Sequence, residues 1–93
     1  MEHNPLMTLN DDTVITYSDL KYDHQSSYIT LYFETPTDAG FNSAECRVPG
    51  CQIENIKGYT PGEVRQLKYH AEKAGYCALA FAKEADKFVS VFP

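Results

Sequence analysis

The sequence contains no tryptophan, and no apolar run in it approaches the roughly 20 residues that a helix needs to cross a lipid bilayer. Its first ten residues have neither the cationic start nor the apolar stretch of a signal peptide. We therefore expect a soluble protein that stays in the cytoplasm and does not bind membranes.

Cysteine is scarce, with three residues in the chain: Cys46, Cys51 and Cys77. An odd number of cysteines without an export signal favours free thiols in a reducing compartment over a disulfide framework. Cys46 and Cys51 have a spacing compatible with two zinc ligands, but the second closely spaced pair of a tetrahedral site is absent. We expect no metal site and no cofactor. A small metal-dependent or thiol-dependent protein that uses these cysteines with His24 or His70 is kept as an alternative.

Catalytic motifs are absent as well. The five glycines are scattered singly, so no glycine-rich loop is available to bind phosphate. No activated-nucleophile motif surrounds a cysteine, and Asp11 and Asp12 lie in a polar segment that cannot hold two carboxylates at a fixed separation. We predict that the chain is not an enzyme and has no catalytic residue.

Positive charge is rare in the first half of the chain. Residues 1–45 contain eight acidic residues and one basic residue, a net charge of −7, whereas residues 46–93 contain five acidic and seven basic residues, a net charge of +2. An acidic half repels phosphate, so binding of the domain to nucleic acid is disfavoured. An acidic inhibitor that mimics nucleic acid is a further alternative.

The residues that are present have the composition of one small globular domain. The 93 residues are 43% hydrophobic and 23% charged, too apolar for a disordered chain. A chain of this length has room for one core only. Residues 1–12 are polar and predict a flexible N-terminal arm. We expect residues 1–93 to form a single α+β domain.

Three segments have strand-like patterns and predict a three-stranded antiparallel meander. The first comprises residues 13–22, and the second, residues 28–35, is the strongest strand in the chain. The third comprises residues 43–48. Alternation places one set of residues on a common buried face: Ile29, Leu31, Phe33, Ala44, Cys46 and Val48.

A helix start follows at Thr60. Thr60 is suited to the N-cap, Pro61 to the first helical position and Glu63 to the third, so the threonine hydroxyl and the glutamate each satisfy a free amide. Beyond it, apolar residues recur at alternating spacings of three and four, which predicts a stripe against one sheet face. The stripe consists of Val64, Leu67, Ala71, Ala74, Ala78, Phe81, Ala85 and Phe88.

Gly75 leaves two interpretations open for the C-terminal segment. In one, the helix runs on or breaks at Gly75 and continues to about Asp86, followed by a short strand or tail at residues 88–92. In the other, the helix ends at Ala74, because lysine in the last turn and glycine just beyond it are typical of a helix end, and residues 76–92 form a β-hairpin. The run of alanines favours the helix.

The middle strand also has bulky residues on its other side. Tyr28 and Tyr32 lie opposite the apolar face, and one helix covers only one face of a sheet. Tyrosine is enriched at interfaces because its ring is apolar and its hydroxyl still bonds water. We predict that Tyr28 and Tyr32, together with Phe88 and Phe92 of the C-terminal segment, bind a protein partner or a second copy of the chain.

The segment NIKGYTPGEVRQL, residues 55–67, resembles the helix entry of a group of small bacterial domains of unknown function, some of them encoded near toxin-antitoxin-type pairs. The resemblance covers about residues 44–85. The chain lacks the histidine-rich first hairpin of those domains, so no functional residue is carried over. The resemblance implies a sheet-then-helix layout and an accessory or regulatory role, in agreement with a non-enzymatic interaction domain.

Overall fold

The computed structural model describes residues 3–24 and 26–91, with side chains up to residue 87. Six strands precede one long helix. The elements are β1 (Asn4–Thr8), β2 (Val14–Tyr17), β3 (Lys21–Asp23), β4 (Ser26–Thr37), β5 (Gly40–Val48), β6 (Ile53–Lys57) and α1 (Pro61–Val91). An antiparallel sheet with a helix packed on it confirms the α+β class.

The strands form one antiparallel sheet in the order β1-β2-β4-β5-β6, and β3 pairs with β4 beyond the end of β2. The predicted meander corresponds to β2, β4 and β5, but the predicted number of strands is too low. Residues 4–8 of the predicted arm form the edge strand β1, and β6 follows the Pro-Gly turn as the other edge. Both additional strands have only five residues, too few for a clear alternation.

The core lies between the sheet and α1. The apolar faces predicted for β4 and β5 are confirmed, because Ile29, Leu31 and Phe33 are buried and pair across the ladder with Val48, Cys46 and Ala44, respectively.

The predicted first strand is interrupted between β2 and β3. Ser18 lies in this break and is fully buried. Its hydroxyl donates to the Asp19 carbonyl at 2.9 Å and accepts the Thr30 amide at 2.9 Å, so it replaces ladder bonds that the break removes.

The helix begins where the sequence predicts. The Glu63 amide donates to Thr60 Oγ1 at 3.2 Å, and the Thr60 amide donates to Glu63 Oε1 at 2.8 Å, which is the expected capping box. From Pro61 the helix is continuous through Gly75 to Val91, so the predicted break, the β-hairpin alternative and the C-terminal strand are wrong.

Gly75 has a packing role instead. A Cβ atom placed on it would lie 2.9 Å from Val48 Cγ2 and 3.4 Å from Leu31 Cδ1. The glycine therefore allows the helix to approach β4 and β5 closely, and it is no helix end.

The predicted apolar stripe is buried only along its first half. Leu67, Ala71, Ala74 and Ala78 are buried, but Phe81 is 55% exposed and Ala85 is exposed; Leu79 and Ala82 take their place in the core. Alternating spacings of three and four average 3.5 residues, whereas a straight α-helix has 3.6 residues per turn. The stripe therefore drifts around the helix by about 20° per heptad. The stripe therefore rotates away from the sheet towards one flank of α1.

Both edges of the sheet are irregular. In β1, the pairing with β2 shifts register between Pro5 and Met7, and proline has no amide to donate. In β6, the pairing with β5 shifts register, and Asn55 has a left-handed φ of 53°. Bulges and proline of this kind discourage the pairing of a further strand at an edge.

Candidate functional site

The sheet face opposite α1, called here the reverse face, is the candidate interaction site. It presents alternate residues of the two longest strands: Tyr28, Thr30, Tyr32 and Glu34 from β4, and Ser43, Glu45 and Arg47 from β5. Within residues 3–24 and 26–91, α1 is the single helix, and it packs on the other side. No helix of the described chain covers this face.

Tyr28 is held at one end of the reverse face by Arg47. The guanidinium carbon of Arg47 lies 3.5 Å from the centre of the Tyr28 ring, a cation–π contact. Arg47 Nη2 also donates to Asp23 Oδ2 at 2.5 Å, so the guanidinium is fixed between the ring and a carboxylate. Tyr28 is half-buried.

Tyr32 is held near the centre of the face by His3. The two rings stack with their centres 4.0 Å apart and an interplanar angle of 27°, and His3 Nδ1 lies 3.3 Å from Thr16 Oγ1. Beside Tyr32 lies a shallow groove of about 230 Å³, with Glu34, Glu45, Asn55 and Lys57 among its lining residues. Both tyrosine rings are thus positioned by neighbours with polar or charged groups.

The structure describes the backbone of one of the two aromatic residues predicted for the C-terminal segment. Phe88 lies within α1, which packs on the other side of the sheet, and Phe92 lies outside the described residues. The structure therefore separates Tyr28 and Tyr32 from Phe88.

Sequence reasoning missed Arg47 and His3 as partners of the tyrosines. Arg47 pairs directly with Thr30, which places it diagonally across from Tyr28 on one sheet face. This contact depends on the pairing register of β4 and β5, and alternation within one strand cannot predict it. The position of His3 beside Tyr32 could not be predicted because residues 1–12 show no strand pattern.

The three cysteines differ in burial. Cys46 and Cys51 are buried, and Cys77 is exposed on α1. Burial raises the pKa of Cys46 to about 12 and also raises the pKa of Cys51. The thiolate is the nucleophile and the metal ligand, so these two thiols are poorly suited to either role at neutral pH. No three His, Cys, Asp or Glu side chains in the described part of the chain are grouped so that they could hold a metal ion.

A partly buried network of hydroxyl groups was also not predicted from the sequence. Thr13 Oγ1 and Thr35 Oγ1 are 2.6 Å apart, and Thr35 Oγ1 lies 2.8 Å from the Tyr59 hydroxyl, which donates to the Asn42 carbonyl at 3.3 Å. Burial raises the pKa of Tyr59. These hydrogen bonds connect Thr13, just before β2, through β4 and β5 to Tyr59, two residues before α1, and each hydroxyl has a partner.

α1 is long but too polar to span a bilayer, and the described residues contain no other helix. Comparison of the chain with protein-family models, with curated proteins and with solved structures finds no match.

Proposed function

We propose that the chain is a small non-enzymatic interaction domain that binds another protein chain, either a second copy or a different protein, through the reverse face. The observation that carries this proposal is that Tyr28 and Tyr32 are held in fixed positions on a sheet face that no described helix covers. Side chains that are already ordered lose little entropy on binding, which makes them effective anchors.

The composition of the reverse face supports the same role. Tyrosine and arginine are the residue types most enriched at the energetic centres of interfaces. Glu34 and Glu45 lie on the face together with Arg47 and Lys57, so both signs of charge are present. In a two-fold symmetric pair, each contact occurs twice with the partners exchanged, and a face with both signs can pair acid with base. We therefore favour a homodimer.

The sheet edges support binding through a face. Pro5 and the register shift interrupt β1, and Asn55 interrupts β6, so neither edge offers a regular row of free backbone groups. Strand addition at an edge is the main competing way for a small sheet to recruit a partner.

Two other functions have less support. A metal-dependent or thiol-dependent role is disfavoured by the burial of Cys46 and Cys51. Mimicry of nucleic acid requires a continuous acidic surface, and Arg47 and Lys57 interrupt the acidic residues of the sheet.

The test is light scattering coupled to size exclusion, over loading concentrations from micromolar to millimolar. The wild-type chain should form a dimer, and Tyr28→Ser with Tyr32→Ser should raise its dissociation constant by about tenfold or more, because each anchor is expected to contribute on the order of 1–2 kcal/mol. The matched control is Tyr69→Ser with Tyr76→Ser, which removes two tyrosines that are 56% and 53% exposed on α1. This control should leave the dimer unchanged.

If the wild-type chain is monomeric at every concentration, the same variants are compared as baits for capture of a partner from cell extract. Loss of one captured protein with the sheet variant alone supports a different partner on the reverse face. Equal capture by the sheet variant, the control and the wild-type chain, with unchanged melting temperatures, would contradict the proposal.

A further inference from the structure

The sheet is wider than the helix that packs on it. Five strands abreast at about 4.8 Å spacing span roughly 20 Å, whereas a helix with its side chains is about 10 Å across. The main contacts of α1 are with β4, β5 and β6. A strip above β1 and β2 on the helix-bearing side, called here the open strip, is therefore left beside α1.

The floor of the open strip is apolar. Met7 pairs with the buried Ile15 and so lies on the helix-bearing side, where it is 39% exposed. Tyr17 pairs with the buried Leu31 and is half-buried on the same side. Leu9 and Leu20 are also partly buried against the core.

One flank of α1 forms the wall of the open strip. Glu63, Gln66 and His70 line a cleft together with the loop that joins β1 to β2, so this flank faces that loop. Cys77 and Phe81 continue the flank at helical spacing, seven and eleven residues after His70. Phe81 is 55% exposed, so a large apolar side chain borders the strip without being covered.

Both ends of the open strip are clefts with carboxylates. One cleft, of about 440 Å³, is lined by Asp11 and Glu63 beside Leu9 and Leu67. The other, of about 410 Å³, is lined by Asp19 and Asp86 beside Tyr17 and Ala85.

All four carboxylates accept hydrogen bonds within the chain, and Glu63 accepts from the Thr60 amide. Hydrogen bonds from Thr13 lower the pKa of Asp11, and a hydrogen bond from Asn4 lowers the pKa of Asp19, so both are ionised at neutral pH. The Tyr22 hydroxyl donates a hydrogen bond to the Asp86 carboxylate. The carboxylates are thus held in position, and because Lys21 also acts on Asp19, the cleft of Asp19 and Asp86 is less negative than the cleft of Asp11 and Glu63.

We propose that the open strip binds an amphipathic helix of a partner protein that has an apolar stripe at its centre and lysine or arginine near both ends. The apolar floor and Phe81 match the stripe, and the carboxylates at each end match the basic residues by charge complementarity. β1, the outer strand of the floor, has five residues and is about 17 Å long, so the strip contacts about three turns of the bound helix. The open strip lies on the other side of the sheet from the reverse face, so this inference does not depend on the proposed function.

The probe is a fluorescein-labelled peptide of about 18 residues that contains leucine at i, i+3, i+4 and i+7 spacing and lysine elsewhere, so that its five turns extend past both ends of β1. Fluorescence anisotropy with the full chain should show saturable binding at low salt. A peptide with glutamate in place of lysine and a scrambled leucine-lysine peptide should bind at least about tenfold more weakly, because they lack the complementary charge and the continuous stripe, respectively.

Matched variants locate the bound peptide. Phe81→Ser should raise the dissociation constant of the leucine-lysine peptide by about tenfold, whereas Phe41→Ser, which removes a 66% exposed phenylalanine at the tip of the β4–β5 hairpin, should change it less than about twofold. Asp19→Asn with Asp86→Asn should weaken low-salt binding by about fivefold, and this loss should vanish at high salt. Glu34→Gln with Glu45→Gln removes the same charge from the reverse face and should have less effect.

Equal losses for Phe81→Ser and Phe41→Ser, or for the two pairs of charge variants, would overturn the inference. If Tyr28→Ser with Tyr32→Ser weakens peptide binding and Phe81→Ser does not, the peptide lies on the reverse face, which overturns this inference and leaves the proposed function intact. Self-association that Phe81→Ser abolishes would place a second copy of the chain in the strip and would likewise overturn it.

Discussion

Burial separates the cysteine side chains into two kinds. Cys46 and Cys51 lie in the core, where water that would stabilise a thiolate is excluded, whereas Cys77 is exposed on α1. The strand alternation around Ala44 and Val48 was sufficient to predict the burial of Cys46. No pattern of this kind surrounds Cys51, which lies in the turn after β5 with a left-handed φ of 58°.

The thiols should therefore differ in their reaction with an aromatic disulfide reagent at pH 8. We expect Cys77 to react within the time of mixing and Cys46 to react only as fast as the protein unfolds. Cys77→Ser should abolish the fast phase, and a fast phase that persists in this variant would contradict the assignment.

The same burial predicts a loss of stability at alkaline pH. Because the pKa of Cys46 is raised from 9.0 to about 12 in the folded chain, the contribution of its neutral form to the free energy of unfolding is complete below about pH 9. It is lost as the pH rises towards 12. Cys46→Ala should reduce this dependence in urea unfolding measured at several pH values.

The contact of Tyr28 with Arg47 depends on strand register, which residue patterns within one strand do not predict. Alternation places both side chains on the reverse face, but only the register that pairs Arg47 with Thr30 brings the guanidinium over the ring. A shift by two residues would preserve every buried position of β5 and remove this contact. The tyrosines could be predicted from the sequence, and their partners could not.

Among the elements, α1 illustrates how tertiary contacts decide between local signals. Glycine after a lysine-containing turn is typical of a helix end, yet α1 continues through Gly75 because the missing side chain lets the helix meet Val48 and Leu31. The N-terminal boundary was predictable because the capping box is local to Thr60 and Glu63. Whether the helix ends or continues at Gly75 depends on Val48 and Leu31, which are far from it in the sequence.

Two glycine-to-alanine substitutions in α1 should have opposite effects. Gly75→Ala should lower the free energy of unfolding by about 1 kcal/mol, because overpacking against Val48 costs about 1–3 kcal/mol and the gain in helix propensity offsets about 1 kcal/mol. Gly62→Ala should raise it by about 0.5 kcal/mol, since its nearest neighbour, Arg65 Nη2, would lie at 3.6 Å. Chemical denaturation measures both. A stabilising Gly75→Ala would show that the helix does not approach the sheet this closely.

Over the whole molecule, the contact between helix and sheet is uneven. The buried part of α1 extends from Leu67 to Ala82, and the following residues 83–85 are exposed. The sequence predicted which face of the first half of the helix is buried. It did not predict where the contact ends, because that depends on the width of the sheet and on the drift of the 3.5-residue repeat.

Amide hydrogen exchange should follow this division. We expect amides of residues 71–79 to exchange at least about tenfold more slowly than those of residues 83–87, because opening the exposed turns disrupts few buried contacts. Amides of residues 29–33 in β4 serve as the reference for global unfolding. Equal protection along the whole helix would mean that α1 opens as a single unit.

The interrupted edges of the sheet affect how the protein aggregates at high concentration. Fibres in which chains join edge to edge need a regular row of free backbone amide and carbonyl groups on both edge strands. Pro5 interrupts this row in β1, and Asn55 interrupts it in β6. Concentrated solutions of the native chain should therefore resist conversion into amyloid-like fibres, and any assembly they form should be discrete and should dissolve on dilution.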